Sequence, residues 1–246
     1  GAILAEGEDG EYVYYEQHGG GGSGGGIRLD VGTLEGSGHI SVDGGGVISG
    51  SGGSGGGGRV AVYYDDMSGF TGEITSHAGS GGAGAGAVGT VYVKDTGGVG
   101  ELRIDSHGTT TGVWTPLGMV DDVQFTVDRL VLSGDGVVAA PIMEIPIVAN
   151  QVSVLNQSVL THRVTTTTQA FSLRMTVAGQ LLVDADSRID VSGRGYIYDH
   201  TVGNTTTGAA TAASGGSYGG FGAAGRGGTT CEVYGDYRDP TNLGSG

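Results

Sequence analysis

Residues 60–79 read VAVYYDDMSGFTGEITSHAG, and the same grammar stands at 27–45 (IRLDVGTLEGSGHISVDGG) and 91–108 (VYVKDTGGVGELRIDSHG). Each copy has a strand, a glycine-containing bend, a second strand and a glycine stop. The first strands begin at Ile27, Val60 and Val91, and the second strands carry Ile40, Ile74 and Ile104. Both series repeat at roughly 30–34 residues, a period that belongs to stacked repeat architectures. Apolar residues alternate within each strand: Ile27, Leu29, Val31; Val60, Val62, Tyr64; Val91, Val93. Period two means strands with one buried face. Arg28, Asp30, Ala61, Tyr63, Tyr92 and Lys94 then face outward.

A repeat of two short strands cannot bury its apolar face alone. Stacking each turn on the last pairs like strands in parallel and closes a continuous core. The expectation is an all-β, right-handed parallel β-helix, a solenoid with glycine-rich inserted loops. The competing arrangement is hairpins packed as an antiparallel sandwich. Asp-Gly hairpin signals are few, at Asp9-Gly10, Asp43-Gly44 and Asp135-Gly136.

Farther along, 123–132, 137–148, 152–160 and 171–177 read as strands, and 181–192 ends at Gly193. Val148, Val152, Leu155 and Val159 also fit a helical stripe, but the β-branched content favours strand. The organisation expected is one domain over 1–246: glycine-rich rungs at 1–108, glycine-poor rungs at 109–192, and at 193–246 a glycine-rich loop and tail joining a following repeat.

Composition sets the outer bounds. Glycine supplies 55 of 246 residues, against an average usage of about 7%. Four prolines and no G-X-Y period exclude collagen. The tracts 19–26, 44–58, 79–89 and 215–228 hold much of the glycine. They read either as loops protruding from one edge or as extended polyproline-II-like strands lying side by side, which only glycine permits. With 11 Lys+Arg against 26 Asp+Glu, the net charge is −15. That repels phosphate backbones and anionic membranes, so nucleic acid is excluded as a partner. No apolar run of about 18 residues suggests membrane insertion. Cys231 is the only cysteine, so no intrachain disulfide is available. The start lacks an initiator Met and a basic segment, so the chain is expected to be a piece of something longer.

The strings GGGGSGGGIRLDVGTLEGSGHISVDGG, GGSGGGGRVAVYYDDMSGFTGEITSHAG and AGAVGTVYVKD resemble the glycine-rich tandem repeats of very large secreted or cell-surface, adhesin-like proteins with pectin-lyase-like parallel β-helix domains. GGSYGGFGAAGRGG and YGDYRDPTNLGSG near the end are similar to the stretch that precedes the first glycine tract in such arrays. The resemblance covers most of 18–105 and 190–246; the middle matches only in strand texture. It implies an extracellular structural or adhesive module in a tandem array or filament, whose partners are copies of itself or neighbouring repeats, with surface glycans as a further partner. It implies no catalytic residues.

The alternative function is a carbohydrate-binding or polysaccharide-cleaving protein. Cleavage needs two carboxylates flanking a glycosidic bond. Asp65-Asp66 and Asp121-Asp122 are adjacent pairs, and adjacent strand residues point to opposite faces. Tyr198-Asp199-His200 is similar to a pectate-lyase strand motif but sits in a polar loop without partners. The sequence therefore favours no enzyme. For metals, Asp43, His77 and His107 each stand three residues after the isoleucine of their second strand. Stacked, they would form a polar ladder able to hold a transition metal, or they are turn residues beside a glycine stop. Ca2+ is chemically reasonable at Asp65, Asp66 or Asp95. The candidate metal residues are thus Asp65, Asp66, His77 and His107, and the candidate carbohydrate or interface contacts are Tyr63 and Tyr92, whose rings would stack on sugars. Tyr12, Tyr14 and Tyr15 form a second tyrosine cluster.

Overall fold

The computed structural model describes residues 1–246 except 14–16, 48–50 and 110. Its strands are β1 (Ala2–Leu4), β2 (Tyr12–Val13), β3 (Gln17–His18), β4 (Gly26–Thr33), β5 (His39–Ser41), β6 (Arg59–Asp66), β7 (Glu73–Thr75) and β8 (Thr90–Asp95). They continue as β9 (Gly100–Asp105), β10 (Thr115–Leu117), β11 (Phe125–Ser133), β12 (Val138–Pro141), β13 (Ile147–Leu155), β14 (Val159–Leu160), β15 (Met175–Val183) and β16 (Arg188–Ile189). The described residues contain no helix. The stretch that fits both periods, 148–159, runs through β13 into β14, as its β-branched content requires.

One long sheet has the order β15-β13-β11-β9-β8-β6-β4. Two smaller parallel sheets, β1-β5-β7 and β10-β12-β14-β16, form second layers, and β2 pairs β3 antiparallel. The first two sequence copies behave as their grammar predicts. Ile27 pairs Val60 and Leu29 pairs Val62 in the long sheet, while Ile40 pairs Ile74 in the small one.

The third copy departs from the pattern. Its second strand, β9, folds back on β8 as an antiparallel neighbour in the same sheet, with Val91 opposite Arg103 and Tyr92 opposite Leu102. The cause is local. The bend at 96–99 is shorter than those at 34–38 and 67–72, and it closes as a turn with Gly98 N–H donating to the Asp95 carbonyl (3.0 Å). This turn sets β9 beside β8 as a hairpin, whereas connections no longer than it, 134–137, 156–158 and 184–187, lead into a second layer. The expected right-handed β-helix is therefore corrected. The chain is all-β with three mainly parallel sheets, a strand reversal interrupts the stack, and no closed solenoid is present among the described residues.

The reversal also moves the core. On β8, Val91 and Val93 face a cluster of Ile40, Val42, Val60 and Val62. Tyr92 points the other way, onto a second cluster that contains Ile104, Leu117, Leu130, Leu132, Ile147 and Val152. Paired residues share a face, and Tyr92 pairs Leu102, which packs on that second cluster. The two cores thus lie on opposite faces of one sheet. Crossover connections keep a single hand. When strand direction inverts while the sheet keeps growing the same way, that hand survives only if the connections change sides.

Glycine segments 19–26, 44–47, 52–58 and 79–89 lie hydrogen-bonded to one another beside the first core. Tract 52–58 bonds three neighbours. Ser54 and Gly57 donate to the Gly84 and Ala87 carbonyls, Gly55 and Gly58 donate to those of Gly45 and Val42, and its Gly53 and Gly56 carbonyls accept from Gly21 and Gly24. Bonds to any one neighbour recur every third residue, the repeat of a polyproline-II helix. Successive amides then point in different directions, so each tract is tied to several others. Gly55 shows why glycine is required: a Cβ there would overlap the Gly22 carbonyl. For the described residues of the first three tracts the side-by-side reading is the one realised, rather than free loops.

Candidate functional site

The isoleucines of the second-layer strands place a column of polar residues. The parallel register of Ala2 with His39 carries on past the strand, with Ala5 N–H donating to the Ser41 carbonyl (2.9 Å) and Gly7 N–H to that of Asp43 (2.8 Å). Glu6 therefore comes beside Asp43. On the next rung His39 pairs Glu73, and Gly44 N–H donates to the His77 carbonyl (3.0 Å). The column runs Glu6, Asp43, His77; His107, which follows β9 of the long sheet, meets it at the His77 ring.

Asp43 accepts the His77 backbone N–H (2.6 Å) and faces His77 Nδ1 at 3.2 Å. Partial burial would raise the Asp43 carboxyl, but the hydrogen bonds from His77 outweigh it and hold it at about 2. The Asp43 bond in turn raises the His77 pKa, against the opposing effect of burial. Each charged form thus favours the other. The His77 and His107 rings meet edge-on at 5.3 Å. His107 Nδ1 lies 3.4 Å from Glu73 and Nε2 lies 3.9 Å from Asp105. His77 Nε2 is buried with no hydrogen-bond partner among the described residues.

At the other end of the column, donor atoms of Glu6, His39 and Asp43 lie within 4.8 Å of one another. Ser41 donates its hydroxyl to Glu6 (2.6 Å), and Thr75 Oγ1 touches His39 Nε2 at 3.4 Å. Reading the sequence missed Glu6 and His39. The offset that picked out Asp43, His77 and His107 also picks out Glu6, three residues after Ile3; His39 carries no such signal.

Two grooves adjoin the column. One, of about 390 Å³, has Asp43, His77, Asp9 and Thr109 on its walls. The other, of about 440 Å³, opens where the β5–β7 layer stops and the same sheet face continues uncovered; Glu73, Arg103, Asp105, His107 and Phe70 line it. Glu73 and Asp105 thus stand in one groove, on either side of one imidazole.

The remaining sequence candidates are not gathered here. Asp65 accepts the Thr96 hydroxyl. Asp66 accepts the Ser68 backbone N–H (2.8 Å), the main reason its pKa is lowered. Asp95 caps its own turn through Gly97 N–H (2.9 Å). Each carboxylate is engaged locally, and among the described residues none of the three joins a three-ligand cluster. Tyr63 and Tyr92 do meet, edge to face at 5.8 Å, but Arg28 covers a face of Tyr63 at 4.4 Å. Tyr92 packs on the second core rather than facing freely outward. Tyr14 and Tyr15 lie outside the described residues. Cys231 is a buried free thiol. Burial pushes that thiol up, but hydrogen bonds with Ser245 and Ser217 bring it below the ordinary range. His200 bonds the Tyr198 carbonyl within its own loop (2.9 Å).

No protein-family model, curated protein or solved structure matches this chain.

Proposed function

We propose that the chain is an extracellular structural or adhesive module that joins copies of itself, or neighbouring repeats, edge to edge. The observation behind this reading is the pair of unshared edges of the long sheet. Among the described residues β4 pairs only β6, and β15 pairs only β13. Each outer strand thus offers a row of free N–H and C=O groups, a template for another strand. β15 also carries exposed Leu181, Leu182 and Val183, and Ile3 and Leu4 are exposed on β1 at the opposite end. Because the β8–β9 hairpin reverses direction, β4 and β15 run opposite ways. Copies stacked by simple translation would pair β15 of one with β4 of the next in antiparallel fashion, the geometry already used within the chain.

Light scattering across a concentration series and electron microscopy test this. The expected result is linear assemblies that dissolve when Leu182→Lys puts a charge on the edge. A species that stays strictly monomeric at high concentration would sink the proposal.

A second reading, carbohydrate binding or cleavage, is favoured by the groove that holds Glu73 and Asp105 on either side of His107. Its volume suits a small sugar, and two carboxylates are what glycosidic hydrolysis requires. If it operates, Glu73→Gln and Asp105→Asn each abolish glycan binding or turnover in a polysaccharide panel. A panel with no hit for the parent protein rejects it.

A further inference from the structure

We propose that Glu6, His39 and Asp43 form a binding site for one divalent transition-metal ion of the zinc class. This goes beyond the assembly reading and does not depend on it. Glu6 comes from one segment and His39 and Asp43 from another more than thirty residues on, brought together by the β1–β5 register. Their donor atoms lie within 4.8 Å of one another, which lets a single ion touch all three after small side-chain adjustments. One imidazole and two carboxylates is a donor set that zinc accepts, and three protein ligands leave a position open for water or a further ligand.

The surrounding residues hold the set in place. Ser41 fixes Glu6 through its hydroxyl, and His77 fixes both oxygens of Asp43 through its backbone N–H and its ring. Ligands held by a shell of this kind lose little freedom when the metal arrives. Charge supplies the driving force. Two carboxylates held this close repel one another, and a divalent cation between them removes that cost. The mixed donor set separates zinc from calcium, which wants six to eight oxygens and makes no use of an imidazole.

Isothermal titration of the full chain with Zn2+, and with Co2+ for its visible absorption, tests the site. One equivalent is expected to bind. His39→Ala and Glu6→Gln should each weaken it by at least about tenfold, and the Co2+ spectrum should change. Glu6 is exposed, so Glu6→Gln can be made without risk to the fold. The double variant Asp65→Asn/Asp66→Asn should leave binding unchanged. Absence of a one-equivalent site overturns the proposal. So does Zn2+ binding that survives both Glu6→Gln and His39→Ala, because it would then belong to another histidine. So does Ca2+ displacing Zn2+ at equal concentration.

Discussion

Strands β4, β6 and β8 and strands β9, β11, β13 and β15 belong to one sheet, yet its two halves are built on different physics. The first half packs valines and Ile40 on one face and is flanked by hydrogen-bonded glycine tracts whose backbones approach closely. The second half buries larger side chains on the other face, with Leu130, Leu132, Ile147 and Leu160 at its centre. One half gains cohesion from amides in contact, the other from apolar volume. The comparison teaches that one strand pattern can be stabilised by removing side chains or by enlarging them, and that each solution fails under a different substitution.

The largest effect should come from the second half. Leu130→Ala removes a fully buried side chain and should cost about 2–5 kcal/mol, read from denaturant unfolding. A loss below about 1 kcal/mol would mean that the apolar core is not what holds this half. Next comes the glycine layer, where two positions in one tract sharpen the contrast. Gly55→Ala forces a Cβ against the Gly22 carbonyl and should destabilise by about 1–3 kcal/mol. Gly53→Ala meets nothing within 4 Å and should be neutral or slightly stabilising. Equal effects at the two sites would show that the tracts do not pack in solution.

The smallest effects separate the halves by pH, measured on metal-free protein. His77, in the first half, has a raised pKa. It binds more protons folded than unfolded, so its contribution is complete below its ordinary value of about 6.5 and is lost as pH rises through the raised value. His162, in the second half, has a lowered pKa, chiefly from burial and also from nearby Arg194. Its contribution is complete above about 6.5 and is lost as pH falls through the lowered value. His77→Gln should therefore flatten the alkaline side of the melting profile and His162→Gln the acid side. The same side changing in both variants would contradict the assignment.

Much of this was legible in the residues. The alternation at 27–31, 60–64 and 91–93 gave three true strands, and the spacing of Ile40 and Ile74 gave a true second layer in parallel register. The neighbours Asp43 and His77 follow from that spacing, and the same offset extends the column to Glu6; His107 meets His77 from the end of β9 in the long sheet, which the spacing did not show. The failure lay at 91–108, where matching grammar hid a different connection. A pattern of apolar residues states which face a strand buries, not whether the next strand lies beside it or across from it. The conformation of the connection decides that: 96–99 closes as a hairpin turn, while 134–137, of the same length, leads into the second layer.

By itself, then, the sequence determined the strands β4, β6 and β8 with their alternating apolar residues, and the tracts rich in glycine, because these depend on alternation and side-chain size along a few neighbouring residues. The strands after residue 137 fall at other bounds than the pattern predicts. The tertiary structure alone decided the reversal at β8–β9, the passage of the core to the other face of the sheet, and the meeting of Glu6, His39 and Asp43. Those depend on distances between segments some thirty residues apart, which register and loop closure set together and which no local pattern encodes.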